Sequence, residues 1–210
     1  MHRINRLLIA VLAFAGMASP TLARPVTDCP LRELPFSVDS PFVDVLLSPA
    51  ARNIVEKASG RSFGNGPAMF VGTKPPTFAA ILTVRTAGRY TGLNEAGLST
   101  VDAALRGLPL TKLDKVARCA RYDNDVPKFT LERGKPHLLL FEKINGFRDA
   151  PSVDAAHAAF VAMAEREGWS LVTTTSGGAF NRATLARFDA VIWNNISGDV
   201  LTLSQRQALK

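Results

Sequence analysis

The chain predicts an α/β protein: an incomplete parallel sheet of about three strands with flanking helices, preceded by a small helical module. Two observations carry this. Three short apolar runs, His137 to Phe141 (HLLLF), Trp169 to Thr174 (WSLVTT) and Phe188 to Trp193 (FDAVIW), alternate with helical stretches. That succession builds βαβ units and parallel sheets with right-handed crossovers. Upstream of Pro136, apolar residues recur at helical spacing in short pieces broken by Pro and Gly.

The elements come in this order. Ser40-Pro41 reads as a helix N-cap followed by Pro at the first helical position, with Phe42, Val45 and Leu46 as the apolar face. Ser48-Pro49 repeats the signal, with Ala51, Ile54, Val55 and Ala58 behind it and Gly60 as the stop. Ser62 to Pro76, with three Gly and three Pro, reads as a loop. Thr77 to Thr86 is apolar and short, and strand and helix both fit it. Ser99 with Asp102, and Thr111 with Asp114, have the spacing of N-terminal caps. Ala103, Leu105 and Leu108 supply the apolar positions of the first of these helices, and Leu113, Val116 and Ala120 those of the second. This module's own core looks thin, so it is expected to pack on the α/β part. His137 to Phe141 has the nearly continuous apolar character of a strand buried on both faces. A helix opening at Pro151 or Ser152 carries Val153, Ala156, Phe160 and Met163 on one face and closes at Gly168. The second strand, a Ser176-Gly177-Gly178 turn, a short helix over Asn181 to Arg187, a third buried strand and a helix from Thr202 complete the chain.

Composition narrows the function. Of 210 residues, 47% are apolar and 20% charged, enough for a buried core. Two cysteines and three histidines make a metal site an unexpected feature, and no cofactor is implied. The N-terminus reads as a secretory signal: Arg3 and Arg6, a 12-residue apolar run from Leu7 to Ala18, then Ser19-Pro20 and small residues before Ala23. The run is short of the ~20 apolar residues a membrane span needs, so a cleaved signal rather than a stable anchor is expected. The chain thus divides into residues 1–23 (signal), 24–135 (helical module) and 136–210 (α/β part), with the product exported to a periplasmic or extracellular space. Loss of Arg3 and Arg6 with the signal lowers the formal charge from +7 to +5, and no basic stripe remains to track a nucleic acid. Export would place Cys29 and Cys119 in an oxidising compartment, where they form one disulfide or remain two free thiols.

Ligands of open α/β sheets bind beyond the carboxyl ends of the strands. The residues at those positions are Asn145, Gly146, Arg148 and Asp149 after the first strand, Thr175 and Ser176 after the second, and Asn194, Asn195, Ser197, Gly198 and Asp199 after the third. Arg148 offers a fork of donors to an anionic or polyhydroxylated ligand, and Gly146 and Gly198 allow close backbone approach. The same residue types also make ordinary turns and caps. The sequence contains no Gly-x-Ser-x-Gly, phosphate-cradling or dinucleotide-binding motif. His157, inside the long helix beside Ala156, reads as a flank or surface residue. Cys29 and Cys119 precede the α/β part, so neither follows a sheet strand as an amidotransferase nucleophile would. The Asn195-Ile196-Ser197 sequon reads as a coincidence.

Three blocks resemble one family. They are LLLFEKINGFRDAPSVDAA from Leu138, the second strand from Trp169 to Thr175, and LARFDAVIWNNISGDVLTLSQRQAL from Leu185. From Leu138 to Leu209 the chain resembles the ThuA-like (trehalose-utilisation) family. The resemblance implies a class I glutamine amidotransferase-like fold and a link to sugar metabolism, with a small sugar as ligand. The family often has His directly after the Gly-aromatic-Arg turn. Here Asp149 stands there, so any role of that His does not carry over. A whole domain of this kind needs about 200 residues, so 136–210 is expected to be its N-terminal part. The expectations are therefore an exported protein of carbohydrate metabolism with an undefined reaction, a non-catalytic sugar-binding or interaction protein, or a truncated fragment without independent activity; an open sheet edge would favour self-association.

Overall fold

A computed structural model describes residues 25–210; the signal predicted for 1–23 lies outside the described residues. Three parallel strands, β1 (His137–Phe141), β2 (Ser170–Thr174) and β3 (Ala190–Trp193), form one sheet in the order β2-β1-β3. Leu139 of β1 stands opposite Val172 of β2 and Val191 of β3. The predicted class, an open three-stranded parallel sheet flanked by helices, is the one the structure contains.

Among the described residues, six helices precede the sheet: α1 (Phe42–Leu47), α2 (Pro49–Ser59), α3 (Ala68–Val71), α4 (Gly88–Thr91), α5 (Glu95–Arg106) and α6 (Lys112–Cys119). The Ser48 side chain caps α2 and Gly60 ends it at φ +64°, as its residue type allows. Two caps differ from expectation. The Ser40 hydroxyl accepts from Ser37 N–H, and Pro41 stands at the N-cap of α1. Helix α5 begins at Asn94, whose Oδ1 accepts from Gly97 N–H, so Ser99 lies inside the helix. An Asx cap earlier in the chain provided the better partner for the orphan N–H groups. The predicted loop 62–76 contains a 3-10 turn and α3.

The core of this module is not thin. Sixteen of its described apolar residues are buried in one cluster, from Phe36 to Leu105. Many of them, including Phe36, Val38, Phe63, Val84 and Ala87, lie outside the regular spacing of the predicted helices, which is why helical periodicity underestimates the core.

Helix α6 reverses expectation. Thr111 and Asp114 do form a reciprocal capping box. The helix nevertheless turns Asp114, Arg118 and Cys119 inward, while Leu113 is 80% and Val116 61% exposed. Polar bonds set this rotation. Arg118 donates to the carbonyls of Leu31 (2.6 Å) and Leu34 and lies over the Phe36 ring at 4.2 Å. Cys119 is bonded to Cys29, with Cα atoms 5.3 Å apart. The apolar set of α6 is thus on the outside. Leu113→Ser is expected to change the unfolding free energy by less than about 0.5 kcal/mol. Asp114→Ala, which removes half of the box, is expected to cost about 1–2 kcal/mol. Urea unfolding of the two variants checks the order, and the reverse order would refute it.

In the α/β part, α7 (Ala150–Glu167) connects β1 to β2 and ends at Gly168, φ +69°. Helix α8 (Arg182–Leu185) precedes β3, and α9 (Leu203–Ala208) follows it behind a Thr202–Gln205 capping box. Leu138 to Phe141 are all buried. β3 is not buried as predicted: Ala190 and Trp193 are exposed, because β3 is an edge strand in the described sheet. On one face Leu139 and Phe141 pack with Phe180, Val200 and Leu201, and the Trp193 ring leans on Phe141. The extended stretch after α6 lies along the sheet. Phe129 packs edge-on against Phe188, and Glu132 N–H bonds the Ser170 hydroxyl.

Candidate functional site

Strands β1 and β3 continue past their ends through a parallel bridge between Ile144 and Ser197. This ties the two predicted turns together. Asn145 and Gly146 both donate from the backbone to Ser197 O, at 3.0 and 2.9 Å. Asn145 is buried, and its Nδ2 donates to Arg121 O (3.2 Å) and Asp199 O (2.6 Å). A Cβ on Gly146 would come within 2.5 Å of both Ile81 Cγ2 and Ser197 Oγ, and one on Gly198 (φ +78°) within 2.9 Å of Gly146 N. The close approach expected of a ligand is therefore made by the protein itself, and Asn145, Gly146 and Gly198 join turns to one another. Asp199 pairs with Arg206. Asp149 stands at the N-cap of α7 without capping it, and accepts from the Ser152 hydroxyl at 2.6 Å. Asn195 is exposed at φ +51° and donates to Asn194 Oδ1.

Arg148 and Phe147 remain open. Arg148 is held by Asp154 of α7 at 2.7 Å. The Phe147 ring is exposed and stacks on Phe78 (centroids 4.8 Å, 16° between planes). Phe78 stacks in turn on Phe70, and Phe70 leans on Tyr90, so a row of rings from the helical module seats the turn after β1. Beside it lies a hollow of about 170 Å³ lined by Pro76, Phe78, Phe147 and Arg148 among others.

Two polar clusters flank the carboxyl end of β1, one on each face, because successive strand residues alternate. Lys143 pairs with Asp123 on one side. Asp123 also accepts from the Ser176 hydroxyl (2.7 Å) and from Gly178 N–H (3.2 Å). Burial pushes the Asp123 carboxyl up, but the bonds from Lys143 and Ser176 outweigh it and hold it below its ordinary value. On the other side, Glu142 lies 3.0–3.1 Å from His157 Nδ1 and accepts from Asn194 Nδ2 at 2.6 Å. Asn194 is buried and also donates to Val153 O, which pins the end of β3 to α7.

Glu142 and Lys143 directly follow the apolar run of β1, a position that marks them as strand-end residues. No sequence signal joins them to Asp123, Asn194 or His157. The described residues contain no group of three or more His, Cys, Asp or Glu arranged to hold a metal ion. No protein-family model, curated protein or solved structure matches this chain.

Proposed function

We propose that the chain is an exported ThuA-like protein that binds a small sugar at the carboxyl edge of its sheet, beside the Gly146-Phe147-Arg148 turn. The observation that carries this reading is the pairing of an exposed ring, Phe147, with the guanidinium of Arg148 at one hollow. A sugar presents an apolar C–H face that lies on an aromatic ring and a rim of hydroxyls that accept from a guanidinium fork. The strand-end position is the one that open parallel sheets offer to ligands. The Cys29–Cys119 disulfide supports an oxidising compartment.

Calorimetric titration with trehalose and with glucose tests the reading. Arg148→Ala and Phe147→Ala are each expected to weaken binding about tenfold or more, the loss that goes with a charge-assisted hydrogen bond or a stacked ring. Equal affinity in both variants would remove the turn from the site. A second reading, an interaction protein, is favoured by the outer edges of β2 and β3, which no described strand covers. Absence of sugar binding together with a dimer mass in light scattering would replace the first reading by the second.

A further inference from the structure

We propose that His157 is a proton acceptor at the carboxyl edge of the sheet, with Glu142 as its positioning residue. Three elements converge to build the pair: Glu142 follows β1, His157 lies on α7, and Asn194 follows β3. The Glu142 carboxylate is 12% exposed, and Asn194 Nδ2 fixes its Oε1. A carboxylate only accepts hydrogen bonds, so the ring nitrogen facing it, Nδ1, carries the hydrogen, and Nε2 of the neutral ring keeps a lone pair. Nε2 has no hydrogen-bond partner among the described residues, and the side chain is 43% exposed.

His137 provides the contrast. Its Nδ1 lies 3.1 Å from Arg187 O and its Nε2 2.8 Å from Glu132 O, so both ring nitrogens are engaged by backbone carbonyls. His157 has one nitrogen oriented by a carboxylate and the other open, the arrangement of a general base with its orienting group.

The setting names a ligand class. Asp154, which holds Arg148, is one helical turn before His157 on α7, and residues at that spacing are surface neighbours about 5–6 Å apart at Cβ. Asp154 thus ties the Arg148 fork to the stretch of α7 that carries His157, and a polyhydroxylated ligand that reaches both would meet a donor fork and a proton acceptor. In the step inferred, a ligand O–H bond breaks, its proton passes to Nε2, and the electron pair stays on the oxygen. The imidazolium so formed keeps its Nδ1–H on Glu142, which balances the new charge. The ligand class rests on the sugar-binding reading above; the proton acceptor does not.

Two measurements test the proposal. Nitrogen-15 spectra of the wild-type protein are expected to show His157 with hydrogen on Nδ1 and a bare Nε2 in its neutral form; the opposite tautomer would overturn the assignment without any variant. Diethyl pyrocarbonate acylates an imidazole nitrogen through its lone pair, releasing ethyl carbonate. Mass spectrometry is expected to find His157 acylated about tenfold faster than His137, and Glu142→Gln to slow His157 several-fold while the unfolding midpoint stays unchanged. Equal rates at the two histidines, or no effect of Glu142→Gln, would refute the role. Saturating trehalose is expected to protect His157. Acylation that depends on Glu142 but ignores trehalose would keep the base and overturn the sugar as its ligand.

Discussion

Reduction of the Cys29–Cys119 bond is expected to lower the unfolding free energy by about 2–5 kcal/mol. The bond closes a loop of 90 residues. Chain entropy alone puts the effect of a loop that long at about 4–5 kcal/mol. The surroundings add to it. Both cysteines are buried with Tyr122 in a small cluster of their own, with Val26 packed against it. The bond joins the start of the described chain to the end of α6, the helix whose buried side is otherwise polar. Without it, that segment is held by polar contacts: the Arg118 bonds to the carbonyls of Leu31 and Leu34, the Lys115–Glu33 pair and the bonds of Asp28 to Leu203 and Ser204. Denaturant unfolding of oxidised and reduced protein measures the effect. Coincident curves would show that the bond contributes nothing.

Asp44→Ala is expected to cost about 3–5 kcal/mol, the loss seen when one partner of a buried ion pair is removed. Asp44 of α1 and Arg121, just beyond α6, have side chains 1% and 5% exposed. The guanidinium reaches both carboxylate oxygens and also donates to Arg118 O at 3.1 Å. Deleting the carboxylate strands the Arg121 charge in the interior. Burial lifts the Asp44 carboxyl above its ordinary value, against the pull of Arg121. An acid whose folded value is raised binds its proton more tightly in the folded chain, so ionising it costs stability as pH rises. Isolation of these two charges from water is therefore expensive, and the double variant Asp44→Leu/Arg121→Met is expected to recover most of the loss. A double-mutant cycle in urea decides it. Strict additivity of the two single changes would show that the pair is not coupled.

Much of the fold is legible along the chain. The three strands, the long α7 and its Gly168 stop, the Ser48 cap and the Thr111–Asp114 box are local signals, and each stands where the residues place it. Other elements turn on competition. Asn94 rather than Ser99 opens α5 because either could cap, and spacing does not rank them. The exposed face of α6 is illegible because periodicity finds an apolar stripe without saying which way it faces. A disulfide, and a guanidinium bonded to the backbone carbonyls of Leu31, Arg32 and Leu34, decide its rotation.

The site divides in the same way. Rules for strand ends bring Asn145, Gly146, Arg148, Asp149, Asn194, Asn195, Gly198 and Asp199 to one edge of the sheet, because parallel strands all end on the same side. Which of them remain open to a ligand depends on contacts between turns. Asn145 and the two glycines are taken up by the Ile144–Ser197 bridge, and Arg148 and Phe147 are not. His157 reads as a surface residue in the sequence because its partner is 15 positions away, at the end of a strand. The sequence by itself determined the three strands and the helices α1, α2, α6, α7 and α9, since these follow from local spacing and capping, while α3 and α4 carry no such signal. Only the tertiary structure decided which polar groups meet, since Glu142, His157 and Asn194 become neighbours only when the sheet and α7 are packed together.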